Sequence, residues 1–153
     1  GGQTEYFAEP NNISELENIL KWASNKNINC QIFGAGSNLL ISGNIWKGLF
    51  ICTKKLKAIN LNPKTGILEA ESGVMLPAIS NLLAKNSCKG GEWSIGIPGT
   101  VGGAIFMNAG YGDFSISKHL VSVKVIDIQT LNIFIISRKD LNFKYRFSPV
   151  SKK

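Results

Sequence analysis

Apolar residues first recur at helical spacing between residues 13 and 23, where Ile13, Leu16, Ile19, Leu20 and Ala23 fall on one face. Ser14 followed by Glu17 reads as a capping box at the start of that helix. The pattern then shortens. Cys30 to Phe33 predicts a buried strand that stops at Gly34, and Leu49 to Cys52 a second one, past the loop around Gly43 to Gly48. Between them Leu39 to Ser42 is strand-like. Ala58 to Leu61, a turn at Asn62-Pro63-Lys64-Thr65-Gly66, and Ile67 to Glu71 predict a hairpin. Pro77 suits the first turn of a second helix, whose apolar stripe is Leu76, Ile79, Leu82 and Leu83. Partial alternation over Leu120 to Ile128, a turn near Thr130 and Ile133 to Ile136 predict two more strands, and Asp140 to Phe143 a helical turn. Hairpins with helices interspersed, rather than a regular strand–helix–strand series, make the expected fold α+β. A change of texture near Thr53 to Lys57 divides the chain into two lobes, 1–55 and 56–153.

Composition narrows the class without deciding function. With 153 residues, 44% hydrophobic and 18% charged, the chain is of globular type. No apolar stretch approaches the roughly 18–20 residues of a membrane span, so a soluble protein with no membrane partner is expected. The net charge of +7 comes from scattered lysines, Arg138 and Arg146 being the only arginines. There is no basic helix and no interleaving of aromatic and basic residues, so the charge reads as a solvated surface and no nucleic-acid partner is expected. Cys30, Cys52 and Cys88 are widely spaced and form no CxxC pair, and His119 is the lone histidine. Cys30 and Cys52, inside apolar runs, read as core thiols, and the pattern suits a reducing cytoplasm without a disulfide framework or a metal site. Nothing in the sequence sets an oligomeric state.

Two glycine-rich segments carry the candidate chemistry. In Gly34-Ala35-Gly36-Ser37-Asn38-Leu39 a strand feeds a Gly-x-Gly turn, where glycine admits a ligand close to the backbone and successive N–H groups form an anion-binding nest. Ser37 and Asn38 add side-chain donors. Leu39 stands where a Rossmann fingerprint has its third glycine, and no Gly-Lys-Ser/Thr end marks a Walker loop. An ordinary capped turn remains the alternative reading of this segment. The second segment, Gly96-Ile97-Pro98-Gly99-Thr100, continues through Val101, Gly102, Gly103 and Ala104 to Asn108. Thr100 predicts the cap of a short helix through Ile105 and Met107, whose N-terminus offers N–H groups to phosphate. Gly102 and Gly103 each cost that helix about 1 kcal/mol relative to alanine. Either a ligand lies against the backbone or the helix packs closely on a neighbour. A third segment, Lys144 to Ser148, holds Arg146, whose planar fork suits a carboxylate or phosphate, beside Tyr145.

These three segments, in this order, resemble the UDP-N-acetylenolpyruvoylglucosamine reductase (MurB) family of peptidoglycan synthesis. Gly34 to Leu40 is similar to the family's first flavin loop, Gly96 to Gly110 to its second, and Tyr145-Arg146-Phe147-Ser148 to its Tyr-Arg-x-Ser element. Gly1-Gly2 and the capped helix also look like the family's entry into the flavin domain. The resemblance implies a two-lobed FAD-binding domain of the vanillyl-alcohol-oxidase/PCMH type, holding FAD through Gly34–Leu39, Gly96–Thr100, Gly102, Gly103, Ala104 and Asn108. It implies NADPH as co-substrate and the enolpyruvyl ether of UDP-N-acetylglucosamine as substrate. Arg146 would hold the substrate carboxylate and act catalytically, with Tyr145 shaping the site. The family's substrate domain, with the serine acid and late glutamate, has no counterpart here, so an incomplete fragment is expected. Tyr111-Gly112-Asp113 is one residue shorter than the family's loop after Met-Asn-Ala-Gly. Another flavin oxidoreductase of the same fold and a non-catalytic nucleotide-binding module are the alternatives.

Overall fold

The computed structural model describes residues 2–152. It opens with a strand absent from the sequence expectations, β1 (Thr4–Ala8), followed by α1 (Ile13–Asn25), β2 (Cys30–Phe33) and β3 (Trp46–Cys52). The three strands form a parallel sheet in the order β1-β3-β2. Its centre, β3, is apolar along most of its length, as a strand flanked on both edges must be. The strand-like run from Leu39 to Ser42 takes no regular structure. Leu40 there is fully exposed, so no burial rewards pairing.

Helix α1 starts two residues before the expected box. Asn12 is the N-cap, its side chain accepting the Glu15 N–H at 2.9 Å. The Glu15 carboxylate accepts the backbone and side-chain N–H groups of Asn11 at 2.8 and 2.9 Å. Ser14, inside the first turn, is no cap. Those bonds, the Asn11 backbone N–H first, hold the Glu15 carboxyl below its ordinary range. A lowered carboxyl stabilises the fold above the unfolded-state value and loses that contribution as pH falls through the folded one. The melting-temperature gap between wild type and Glu15→Gln is therefore expected to be widest at neutral pH and to close on acidification.

On its inner face α1 buries Leu16, Leu20 and Ala23 against Leu49 and Ile51 of β3 and against Leu56. Each leucine so buried stabilises by about 1.5–3 kcal/mol. Ile13 stays exposed, and Ile19 packs at the margin.

Beyond Leu56 the expected hairpin is β4 (Ile59–Asn62) with β5 (Ile67–Ala70), antiparallel. Then come α2 (Leu76–Lys85), with Pro77 in its first turn, and α3 (Val101–Met107). Two short strands, β6 (Gly110–Tyr111) and β7 (Phe114–Ser115), and the single turn α4 (Ile116–His119) follow. Next comes the antiparallel pair β8 (Ser122–Ile126) and β9 (Ile133–Ser137), and the described chain ends in a helical turn at Pro149–Lys152. A second apolar cluster, Val74, Leu76, Val101, Ala104 and Ile116, ties α2, α3 and α4 together.

A helical turn follows β9 at Arg138–Asp140, two residues before the expected Asp140 to Phe143. Arg138 explains the shift. Its Nε donates to Ser117 O at 2.7 Å and its Nη1 to Leu141 O at 2.9 Å, with the guanidinium 5.2 Å from the Phe143 ring. Lysine has neither the fork nor the flat face. Arg138→Lys is expected to cost about 1–3 kcal/mol, read as a lowered urea midpoint.

Candidate cofactor-binding site

Strand β2 ends at Phe33, and the first glycine segment leaves it directly. Thr53, just past the end of the neighbouring strand β3, fastens the departure point, its hydroxyl donating to Phe33 O at 3.2 Å. Cys52 lies beneath, its thiol 3.5 Å from Gly34 O, and burial raises its pKa as it does that of Cys30. Gly36 turns the chain with φ +73°, and Leu39 N–H closes the turn on Gly36 O at 3.2 Å. Among the described residues no acceptor takes the N–H groups of Gly36, Ser37 or Asn38. Ser37, Asn38 and Leu39 are exposed, while Ala35 is half-buried. Leu39 lines an open groove of about 280 Å³ with Phe33, Leu40, Trp46 and Phe50.

The second segment lies against the first. Ser37 Oγ donates to Pro98 O at 3.3 Å, and a Cβ on Gly34 would stand 2.1 Å from Thr100 Oγ1. Gly99 has φ +130°, and a Cβ there would come within 3.1 Å of Ser37 Oγ. Gly96 faces open space, and Ile97 packs on the second apolar cluster. The two loops, some sixty residues apart in sequence, thus form one wall of bare backbone.

Thr100 caps α3 as expected, its side chain accepting Gly103 N–H at 3.4 Å. The helix does not offer its N–H groups to an anion, however. Val101 N–H donates to Val74 O at 2.8 Å, Gly102 N–H to Ser72 O at 2.9 Å and Ala104 N–H to Thr100 O at 2.8 Å. Gly102 is the product of close packing, since a Cβ there would meet Ser72 Cβ at 2.9 Å. Ala104 is buried in the core, and Gly103 is exposed. The unclaimed donors lie in the first loop instead.

The third segment reaches α3 from the other end. Asn108 is the helix's left-handed C-cap (φ 45°, ψ 54°), and its Nδ2 donates to Lys144 O at 2.9 Å. Lys144 and Phe147 exchange both backbone hydrogen bonds at 3.1 Å, which turns Tyr145 and Arg146 outward. Tyr145 is 90% exposed, and Arg146, at φ 52°, carries its guanidinium 5.6 Å from the Tyr145 ring centre. Ser148 is fully buried, with its Oγ accepting Val150 N–H at 3.3 Å. The Asn108–Lys144 link was missed in the sequence, where nothing pairs positions 36 residues apart.

The FAD binding domain family matches residues 4–130. The chain belongs to that family. The match shows the fold to be α+β and of FAD-binding type, which makes FAD the cofactor of this fold. The paired loops fit it: bare backbone, unclaimed N–H groups at Gly36 to Asn38, and no room for side chains at Gly34. This FAD-binding chain is 56% identical over 149 residues to a UDP-N-acetylenolpyruvoylglucosamine reductase from Prochlorococcus marinus subsp. pastoris, covering 97% of the chain and 50% of the relative. To the reductase of the same name from Prochlorococcus marinus strain MIT 9313 it is 43% identical, over 100% of the chain and 50% of the relative. It therefore spans about half the length of the curated relatives it matches. Among solved structures, the MurB reductase from Thermus caldophilus superposes with a TM-score of 0.72 at 25% identity, over 93% of this chain and 48% of that one. A grass pollen allergen with glucose dehydrogenase activity shares the fold alone, with a TM-score of 0.68 at 14% identity over 88% and 29%. No helix among the described residues is long and apolar enough to cross a membrane.

Proposed function

We propose that this chain is the flavin-binding part of a UDP-N-acetylenolpyruvoylglucosamine reductase, working in the cytoplasm in peptidoglycan synthesis. The observation that carries the reading is the contact of the two glycine loops, Ser37 on Pro98 and Gly34 on Thr100, with a turn that presents Tyr145 and Arg146 held at the other end of α3. Two lobes, 1–55 and 56–153, hold the cofactor between them in this reading. The second apolar cluster lies wholly within 56–153, while Leu56, Ile126 and Leu131 of that stretch join the first cluster and would form the seam between the lobes.

Bound FAD supplies hydride transfer from NADPH to the enolpyruvyl double bond of the UDP-sugar. The chain's own residues do the rest of what this half contributes. Gly36, Ser37 and Asn38 give N–H donors to the diphosphate, replacing the water those oxygens lose. Ile97, Pro98, Gly99 and Thr100 complete that wall from the second loop, with Gly103 and Asn108 on the helix behind it. Arg146 pairs its fork with the substrate carboxylate and opposes the negative charge that grows there as the double bond is reduced. Tyr145 backs the guanidinium with its ring. The groups that protonate the product belong to the part of the relatives this chain does not span.

Mixing the purified chain with FAD and passing it through a desalting column tests the first half of the reading. Yellow protein with a perturbed flavin spectrum is expected, and colourless protein refutes it. The second half is tested by joining the chain to the remaining part of the 56% identical relative. NADPH oxidation by that chimera is expected only when the enolpyruvyl UDP-sugar is present.

A further inference from the structure

We propose that Asn108 is a positioning residue for Arg146, acting through the Lys144 carbonyl; this rests on the function proposed above. Helix α3 is only seven residues long, yet it touches the site at both ends. At its start Thr100 packs on Gly34 of the first loop, and at its end Asn108 grips the turn that carries Arg146. The helix is thus a rigid spacer between the glycine wall and the guanidinium, and Asn108 is its fastening.

Three observations single out the side chain. A left-handed C-cap is the natural place for glycine, which pays no Cβ strain there, and asparagine is the next best choice. What asparagine adds is the amide, and its Nδ2 is spent on Lys144 O. That carbonyl already accepts Phe147 N–H, so the amide occupies its second lone pair and locks the turn from outside. The other half of the amide makes no such bond: Asn108 Oδ1 is buried with no hydrogen-bond partner among the described residues. Leaving such an acceptor unmade costs about 1–3 kcal/mol, a penalty glycine avoids. Arg146 itself sits at φ 52°, a conformation that a non-glycine residue keeps only where its surroundings enforce it.

The test compares Asn108→Gly, which keeps the backbone and drops the amide, with Asn108→Asp, which keeps the shape and loses the donor at neutral pH. In the FAD-loaded chain, both are expected to speed amide exchange at Phe147 at least tenfold while leaving exchange in β3 unchanged. Unchanged exchange at Phe147 overturns the proposal. In the chimera, each variant is expected to lower kcat with little change in the KM for NADPH, and to add nothing further once Arg146 is alanine. Full additivity with Arg146→Ala overturns the coupling. If Arg146→Ala itself leaves turnover intact, the functional reading fails, whereas faster exchange at Phe147 still shows Asn108 holding the turn.

Discussion

Replacing Gly34 by alanine is expected to destabilise the chain by about 3 kcal/mol and to weaken FAD binding at least tenfold. The added Cβ would stand 2.1 Å from Thr100 Oγ1 and 3.1 Å from both Thr100 Cβ and Cγ2. Thr100 is almost wholly buried and cannot swing into solvent. Rotating its hydroxyl away would also release Gly103 N–H and the cap of α3, a loss of about 1 kcal/mol. The remaining way out is to separate the two loops, which breaks the Ser37–Pro98 contact and the wall that the diphosphate needs. A double-mutant cycle isolates the cause. Thr100→Ala removes the nearest atom, so Gly34→Ala is expected to cost at least 1 kcal/mol less in that background than in the wild type, measured by urea unfolding. Additive costs would show that Gly34 is glycine for another reason.

How far the sequence revealed this arrangement depended on whether each feature is local. Thr100 as a cap, Pro77 in the first turn of α2 and the bounds of the strand from Cys30 to Phe33 rest on short-range rules and stand in the structure, though that strand is an edge of the sheet and not buried as expected. Ser14 with Glu17 and Asn12 with Glu15 satisfy the same capping rule, and their N-cap preferences are nearly equal. The structure chooses the second pair because Asn11 gives Glu15 two more hydrogen bonds. β1 escaped notice because Tyr6 and Phe7 find their partners, Trp22 and Phe33, on other elements. The fate of the α3 N–H groups was equally hidden. Ser72 and Val74, which accept them, lie some thirty residues earlier and carry no sign of it. The glycine loops were legible as a cofactor feature, while the sharing of labour between loop donors and helix donors was not.

Removing the Arg146 side chain has the largest expected effect on turnover. In the chimera, Arg146→Ala is expected to lower kcat by about 10²–10³, the usual magnitude when a preorganised donor to developing charge is lost. FAD affinity is expected to stay within twofold, because the turn carrying Arg146 is joined to α3 through Asn108, at the opposite end of that helix from Thr100 and the glycine loops. Arg146→Lys preserves charge but not the fork, so it should recover only a small part of the loss. The split between constants decides the role. A group that meets the carboxylate equally in substrate and transition state raises KM and leaves kcat alone, whereas one that opposes charge arising during reduction lowers kcat. A rise in KM with unchanged kcat would reduce Arg146 to a substrate anchor and move the charge stabilisation to the part of the relatives beyond this chain.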